Sequence, residues 1–214
     1  MVILIDNGHG ATTPGKQSPS LKGSGLDIWD GLTENGRFKE WKYTRVIAEE
    51  VVAKLKAMGY DARLLVTENG DISLQERVRR ANKVCDKYGA GNVLVVSVHA
   101  NAVGDSSKWM EGKGWEAYTT KGTTKSDKLA EYLYKRAEKN FSGRKIRKDT
   151  TDGDSDKEAN FYIIKNVKCP AVLTENFFYD NKDDLKYLAS DEGLGAVERT
   201  HVEGIIDYIN SLKK

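Results

Sequence analysis

The chain has 214 residues, a formal net charge of +2 and 39% hydrophobic residues, enough for one domain with its own core. The near-zero charge balance argues against a nucleic-acid partner, and two cysteines, Cys85 and Cys169, are too few for a zinc ribbon or a disulfide framework. No run approaches the roughly 18 apolar residues of a membrane helix, so no stable membrane insertion is expected.

In chain order, residues 2–6 are a short apolar run ending in Asn7-Gly8-His9-Gly10, the pattern of a buried strand entering a tight loop. Residues 11–39 are rich in Gly, Ser, Thr, Pro and Lys and read as one long loop, which in a compact domain points to a function. From Glu40 onward Tyr43, Val46, Ile47, Val51, Leu55 and Met58 fall at helical spacing, with Gly59 as the stop. Residues 62–66 predict a strand. Ser73 is placed to cap a helix with Glu76 as capping-box partner, and Leu74, Val78, Ala81 and Cys85 form its apolar face. Residues 93–98 are a β-branched run, a strand buried on both faces, ending at His99. A strand over 115–119, an amphipathic helix over 124–140, a charged irregular stretch over 142–158 and a strand over 171–174 ending at Glu175 follow. Helices over 182–189 and 191–212 close the chain. The alternation predicts a single α/β domain spanning 1–214, with a mostly parallel, twisted sheet of about six strands covered by helices on both faces.

In such sheets sites form beyond the carboxyl ends of the strands. Three apolar runs end in polar groups, at His9, His99 and Glu175, and Glu40 opens the first long helix. Two histidines and one carboxylate match a catalytic zinc set, with a further carboxylate as the base. Taken singly, each has an ordinary reading as a loop histidine, a first-turn acid or a buried carboxylate. On pattern alone both readings stand.

These residues lie in motifs that resemble the zinc-dependent N-acetylmuramoyl-L-alanine amidases of the Amidase_3 type. The motifs are Ile5-Asp6-Asn7-Gly8-His9-Gly10, Glu40 with Ile47-Ala48, Leu74-Gln75-Glu76-Arg77-Val78 with Ala81-Asn82, Ser97-Val98-His99-Ala100-Asn101-Ala102, and the stretch from Pro170 through Glu175 to Phe178 with Asn181 and Asp183. They occur in family order along nearly the whole chain. The resemblance implies one Zn²⁺ held by His9, Glu40 and His99, with Glu175 as the catalytic acid and base. It implies hydrolysis of the amide between N-acetylmuramic acid and L-alanine in peptidoglycan. Departures are Asn7 where proline is usual and Trp41 where lysine is common; Glu34 competes with Glu40, and the spacing to Ile47-Ala48 favours Glu40. Thr13-Pro14-Gly15-Lys16 and Ser18-Pro19 are similar to the phage and prophage endolysin subgroup. The opening Met1-Val2-Ile3-Leu4-Ile5-Asp6 lacks the marks of a signal peptide, so cytoplasmic synthesis, holin-type release and action on the cell wall or periplasm are expected, by a monomer. The alternatives are another zinc peptidase acting on the stem peptide, or a non-catalytic wall-binding protein on the same fold.

Other features are weaker. Asp6, Asn101 and Asn176 read first as strand-end and turn polar groups, and second as groups that orient metal ligands. Residues 158–162 are candidates to line the substrate groove. Trp109 and Trp115 could stack on sugar rings, although core positions are the commoner use. Asp152-Gly153-Asp154-Ser155-Asp156 starts like a calcium loop, but Lys157 and Ile163 stand where an EF-hand needs Gly and Glu, so a solvated acidic loop is expected. His201 reads as a helix-surface or partly buried histidine, and each cysteine as a small buried residue. Residues 121–148 carry a local charge of about +7, read as a solvated face in preference to a site for anionic wall polymer.

Overall fold

The computed structural model describes residues 1–151 and 153–213. Its strands are β1 (Val2–Asn7), β2 (Thr33–Glu34), β3 (Arg37–Phe38), β4 (Asp61–Leu64), β5 (Val93–Asn101), β6 (Glu116–Thr119), β7 (Lys157–Glu158) and β8 (Ala171–Phe178). Its helices are α1 (Glu40–Ala57), α2 (Leu74–Tyr88), α3 (Lys125–Asn140), α4 (Tyr162–Asn166), α5 (Lys182–Leu188) and α6 (Asp191–Ser211). Six strands form one sheet in the order β4-β1-β5-β8-β6-β7. Strands β4, β1, β5 and β8 are parallel; β6 runs antiparallel to β8 and carries β7 parallel to itself. The expected α/β class and mostly parallel sheet are therefore present.

Side chains of successive strand residues point to opposite faces, so the strands feed two cores. Ile3, Ile5, Leu94, Val96, Val98 and Val172 pack under α1, α3 and α6. Val2, Leu4, Val93, Val95, Ala171 and Leu173 pack on the other face with α2 and α4. This double burial is why these strands read as continuous apolar runs instead of alternating ones.

Two boundaries differ from the sequence expectation. The apolar runs stop at Val98 and Thr174, yet β5 continues through His99 to Asn101 and β8 through Glu175 to Phe178. The strands do not end where the first apolar run ends, because backbone pairing continues to Asn101 and Phe178, with Ala100, Asn176, Phe177 and Phe178 still buried. His99 and Glu175 are register partners there, and a bulge lies between His99 and Asn101.

The segment 11–39 also has structure. Asn35 and Gly36 both have positive φ, 52° and 66°, the conformation of a tight two-residue hairpin turn joining β2 to β3. The Asn-Gly dipeptide was the available signal. The hairpin returns the chain to α1: Ser18 N–H donates to the Phe38 carbonyl, Phe38 N–H to the Ser18 hydroxyl, and Glu40 N–H to the Lys16 carbonyl. Ser73 caps α2 by accepting from Glu76 N–H at 3.2 Å. The reciprocal half of the expected capping box is not formed, because the Glu76 carboxylate is taken by Arg79 and Arg80.

Candidate metal centre

The ends of β1 and β5 and the start of α1 bring His9, Glu40 and His99 together. One ligand atom from each lies within 4.8 Å of the other two, the one such group of three found among the described residues. Glu40 is 1% exposed. Its Oε1 accepts from Ala100 N–H at 3.1 Å and lies 3.1 Å from His99 Nδ1. Its Oε2 lies 3.3 Å from His9 Nε2 but forms no well-made hydrogen bond, so a buried carboxylate oxygen is left unsatisfied. Glu34, the competing acid, is exposed on the hairpin.

Glu175 lines the same cavity, which encloses about 390 Å³ and is also bounded by Lys16, Leu74, Phe161 and Tyr162. Its Oε2 is buried without a hydrogen-bond partner. Burial pushes the Glu175 carboxyl up to about 8; His99 opposes the shift, and the Glu40 carboxylate adds to it. Burial also disfavours charge on Glu40, but the two histidines outweigh it and hold that carboxyl well below the usual range. His9 is pushed down by burial, towards the neutral form a metal ligand needs, despite the nearby Glu40. For His99 burial is again the largest single effect, but the Glu40 bond together with the charges of Glu40, Glu175 and Asp6 outweighs it and raises its pKa.

His9 has φ 62°, a left-handed conformation that costs a non-glycine residue free energy. Its surroundings hold it there. Arg45 donates to the His9 carbonyl at 3.2 Å and Arg77 at 3.0 Å, while the Thr44 hydroxyl donates to the Gly8 carbonyl. Arg77 is anchored in turn on the Asp6 carboxylate at 2.6 Å, with both side chains 2% exposed, and Ser97 donates to the other Asp6 oxygen. Gly8 is required by packing: a Cβ there would lie 2.2 Å from the His99 ring.

On the other side, Asn176 donates to the His99 carbonyl at 2.8 Å and accepts from Trp115 Nε1 at 2.9 Å. Asn101 donates to Glu116, a buried carboxylate that also receives Arg147, Lys157 and the Tyr118 hydroxyl. Asn176 thus ties directly to the His99 backbone and Asp6 to the His9 backbone through Arg77, whereas Asn101 serves as a strand-end polar group on Glu116. The bracing residues Arg45 and Glu116 had no local signal, and Arg77, although inside the Leu74–Val78 motif, had none for this contact; their partners are distant in sequence.

Of the weaker expectations, the core reading of the aromatics holds, while those for His201 and the acidic stretch are corrected. Trp115 is 0% exposed and packs on Tyr134 and Phe141, so it cannot stack on a sugar. Trp109 is partly buried against the core, with Lys182 over its ring. His201 is fully buried: its Nδ1–H donates to the Val197 carbonyl, so Nε2 accepts from the Thr174 hydroxyl at 2.8 Å. Within 158–162, Phe161 and Tyr162 do line the cavity. Of the acidic stretch, Asp152 lies outside the described residues, and Asp156 is buried against the Thr119 hydroxyl instead of solvated. Both cysteines are buried and free. In the basic segment Lys135 and Lys148 pair with acids of the same segment, and Arg136 and Arg147 with Glu203, Asp207 and Glu116 outside it, so only part of its excess charge is offset.

Residues 3–207 match the family model described as N-acetylmuramoyl-L-alanine amidase. The chain is 32% identical over 201 residues to the endolysin of Bacillus phage SPP1, covering 88% of this chain and 66% of that protein. It is 27% identical to the N-acetylmuramoyl-L-alanine amidase CwlM of Bacillus licheniformis, covering 99% and 70%. The chain thus spans about two thirds of the length of these relatives. The solved structure of the amidase AmiC2 of Nostoc punctiforme superposes with a TM-score of 0.71 at 24% identity, over 98% of this chain and 97% of that one, which shows the shared fold. Among the described residues no helix is long and apolar enough to cross a membrane.

Proposed function

The chain belongs to the N-acetylmuramoyl-L-alanine amidase family, and from that premise we propose that it hydrolyses the amide joining the lactyl group of N-acetylmuramic acid to L-alanine in peptidoglycan. The observation that carries the reading is the His9, Glu40, His99 cluster, with its unsatisfied Glu40 oxygen, beside the unpartnered Glu175 carboxyl in one cavity. Two imidazoles and one carboxylate suit Zn²⁺, and these three residues would hold it. When bound, the ion supplies Lewis acidity towards the scissile carbonyl and lowers the pKa of water. Glu175 would take the proton from the attacking water and deliver it to the departing alanine nitrogen. Its burial supports this role, since a carboxyl with a raised pKa exchanges protons near neutral pH. The bracing of the His9 carbonyl by Arg45 and Arg77, and of the His99 carbonyl by Asn176, would fix the backbone from which the two imidazoles project.

Product analysis on purified peptidoglycan tests the reaction. Freed lactyl carboxylates and L-alanine amino termini are expected; other termini would make the protein a stem-peptide peptidase. Glu175→Ala should keep its metal by elemental analysis and lose at least about a hundredfold in activity. Near-normal turnover of that variant would remove Glu175 from the role of base. His9→Ala and His99→Ala should lose both metal and activity. We further infer that residues 1–214 act as one catalytic unit and as a monomer, which sedimentation would check. The similarity to a phage endolysin supports the cell wall as the place of action, with release through a holin as the route. Turbidity of expressing cells with and without a holin tests that route.

A further inference from the structure

The cavity has two unlike walls above its ligating floor. One wall is apolar: Leu74, at the start of α2, with Phe161 and Tyr162 before and at the start of α4, all three exposed at 48%, 38% and 41%. The other wall comes from the 11–39 loop and carries Lys16, the single lysine or arginine among the described residues that line the cavity. Lys16 makes no ion pair or side-chain hydrogen bond among the described residues, whereas its neighbours Lys39 and Lys42 are both engaged, on Gln17 and on the Thr33 carbonyl.

The backbone beneath Lys16 is fixed even though its side chain is exposed. The Lys16 carbonyl accepts from Glu40 N–H at 3.1 Å, which ties it directly to a metal-centre residue. The buried Ser106 hydroxyl lies 3.1 Å from the Gly15 carbonyl and 2.6 Å from the Gln17 carbonyl, and Arg37 donates to the Ser18 and Ser106 carbonyls. A lysine on a mobile surface loop would sample a wide volume. This one starts from a pinned backbone at the rim of the site, and its charge acts on both His9 and Glu175. The walls therefore ask for a ligand with apolar groups on one side and an anion on the other.

We propose that Lys16 is a specificity-determining residue that pairs with the free α-carboxylate of the second stem-peptide residue. This deepens the amidase reading and rests on it. On the sugar side of the scissile amide the substrate is uncharged. On the amine side, L-alanine is followed by a glutamate joined through its γ-carboxyl, whose α-carboxyl is either free or amidated. An extended residue spans at most about 3.6 Å, so that group falls about two such steps from the scissile carbonyl, on the scale of the cavity whose rim Lys16 lines. The methyl groups of lactate and alanine then face Leu74, Phe161 and Tyr162. Lysine rewards a carboxylate through charge and gains little from a carboxamide.

The test compares two soluble muramoyl dipeptides, one with the free α-carboxylate and one with its amide, cleaved by metal-loaded wild type, Lys16→Gln and Lys16→Arg. The wild type is expected to favour the carboxylate by about tenfold in kcat/KM, expressed mainly in KM. Lys16→Gln should bring the ratio close to one, and Lys16→Arg should keep most of it. A wild type without preference, or a Lys16→Gln variant that loses equally on both substrates, overturns the proposal while leaving the amidase reading in place. A wild type whose wall digest shows other termini than freed lactyl carboxylates and L-alanine amino groups overturns the amidase reading itself, whatever it does to the dipeptides.

Discussion

On the His9 side of the site, two guanidiniums donate to a backbone carbonyl and one of them, Arg77, rests on the buried Asp6 carboxylate. On the His99 side, His201 holds the Thr174 hydroxyl, and Asn176 donates both to Thr174 and to the His99 carbonyl. The first brace is made of full charges and the second of neutral hydrogen bonds. A charged brace in the interior is secure while complete, but losing one member strands the other's charge. A neutral brace loses about 1 kcal/mol per bond, and more where a buried group is left unpaired. The neutral brace also contains the one group of the pair that acid can charge.

The largest expected effect breaks the charged side. Arg77→Met leaves Asp6 buried without its cation and should cost about 3–5 kcal/mol in urea unfolding. Removing the charge as well, in Asp6→Asn with Arg77→Met, should recover part of that loss. A cost below about 1 kcal/mol would show that the charged brace carries little.

Acid should act on the neutral side. Burial pushes His201 down to about 4, against an ordinary 6.5. Above pH 6.5 the ring is neutral in both folded and unfolded chains, and no stability depends on it. Between 6.5 and about 4 only the unfolded chain takes up the proton, so stability falls as pH falls. The loss reaches about 3 kcal/mol at pH 4. Unfolding curves at pH 7 and pH 4 should show this loss in the wild type and not in His201→Gln; equal pH dependence in both would overturn it.

Asn176→Ala should cost about 2 kcal/mol at pH 7, because it leaves the His99 carbonyl and the Trp115 N–H without their partner. A cost equal to that of Arg77→Met would erase the distinction between the two braces. The smallest effect sharpens the comparison from outside. Ser73→Ala weakens the cap of the helix that carries Arg77 and should cost about 1 kcal/mol, with Arg77 still seated. Metal affinity unchanged in that variant would show that the brace, and not the helix end, holds His9.

Much of the candidate site is legible along the chain because each member follows a local signal. His9 and His99 stand beyond apolar runs, Glu175 ends a third, and Glu40 opens a helix after a long polar segment. Parallel pairing then puts these ends on one rim. Asp6, Arg77 and Asn176 lie within the motifs too, but what each would hold carries no local signal. Arg77 meets His9 from 68 positions away, and Asn176 meets His99 from 77. Trp115 was open to a surface reading because an aromatic near a strand end has the same local pattern whether it faces a groove or the core. His201 likewise lies on a helix whose buried face is broad enough to include it.

The sequence by itself determined the alternation of strands and helices, since hydrophobic period is a local property, and it offered the four polar residues as candidates that the family resemblance then singled out. Tertiary structure alone decided that β5 and β8 continue through His99 and Glu175 as paired partners, that His9 is held left-handed by two distant arginines, and that Lys16 at the cavity rim has no side-chain partner among the described residues. These depend on which groups remain to satisfy a carbonyl or a charge once the sheet has closed over its two cores, and that is settled by contacts between residues far apart in the chain.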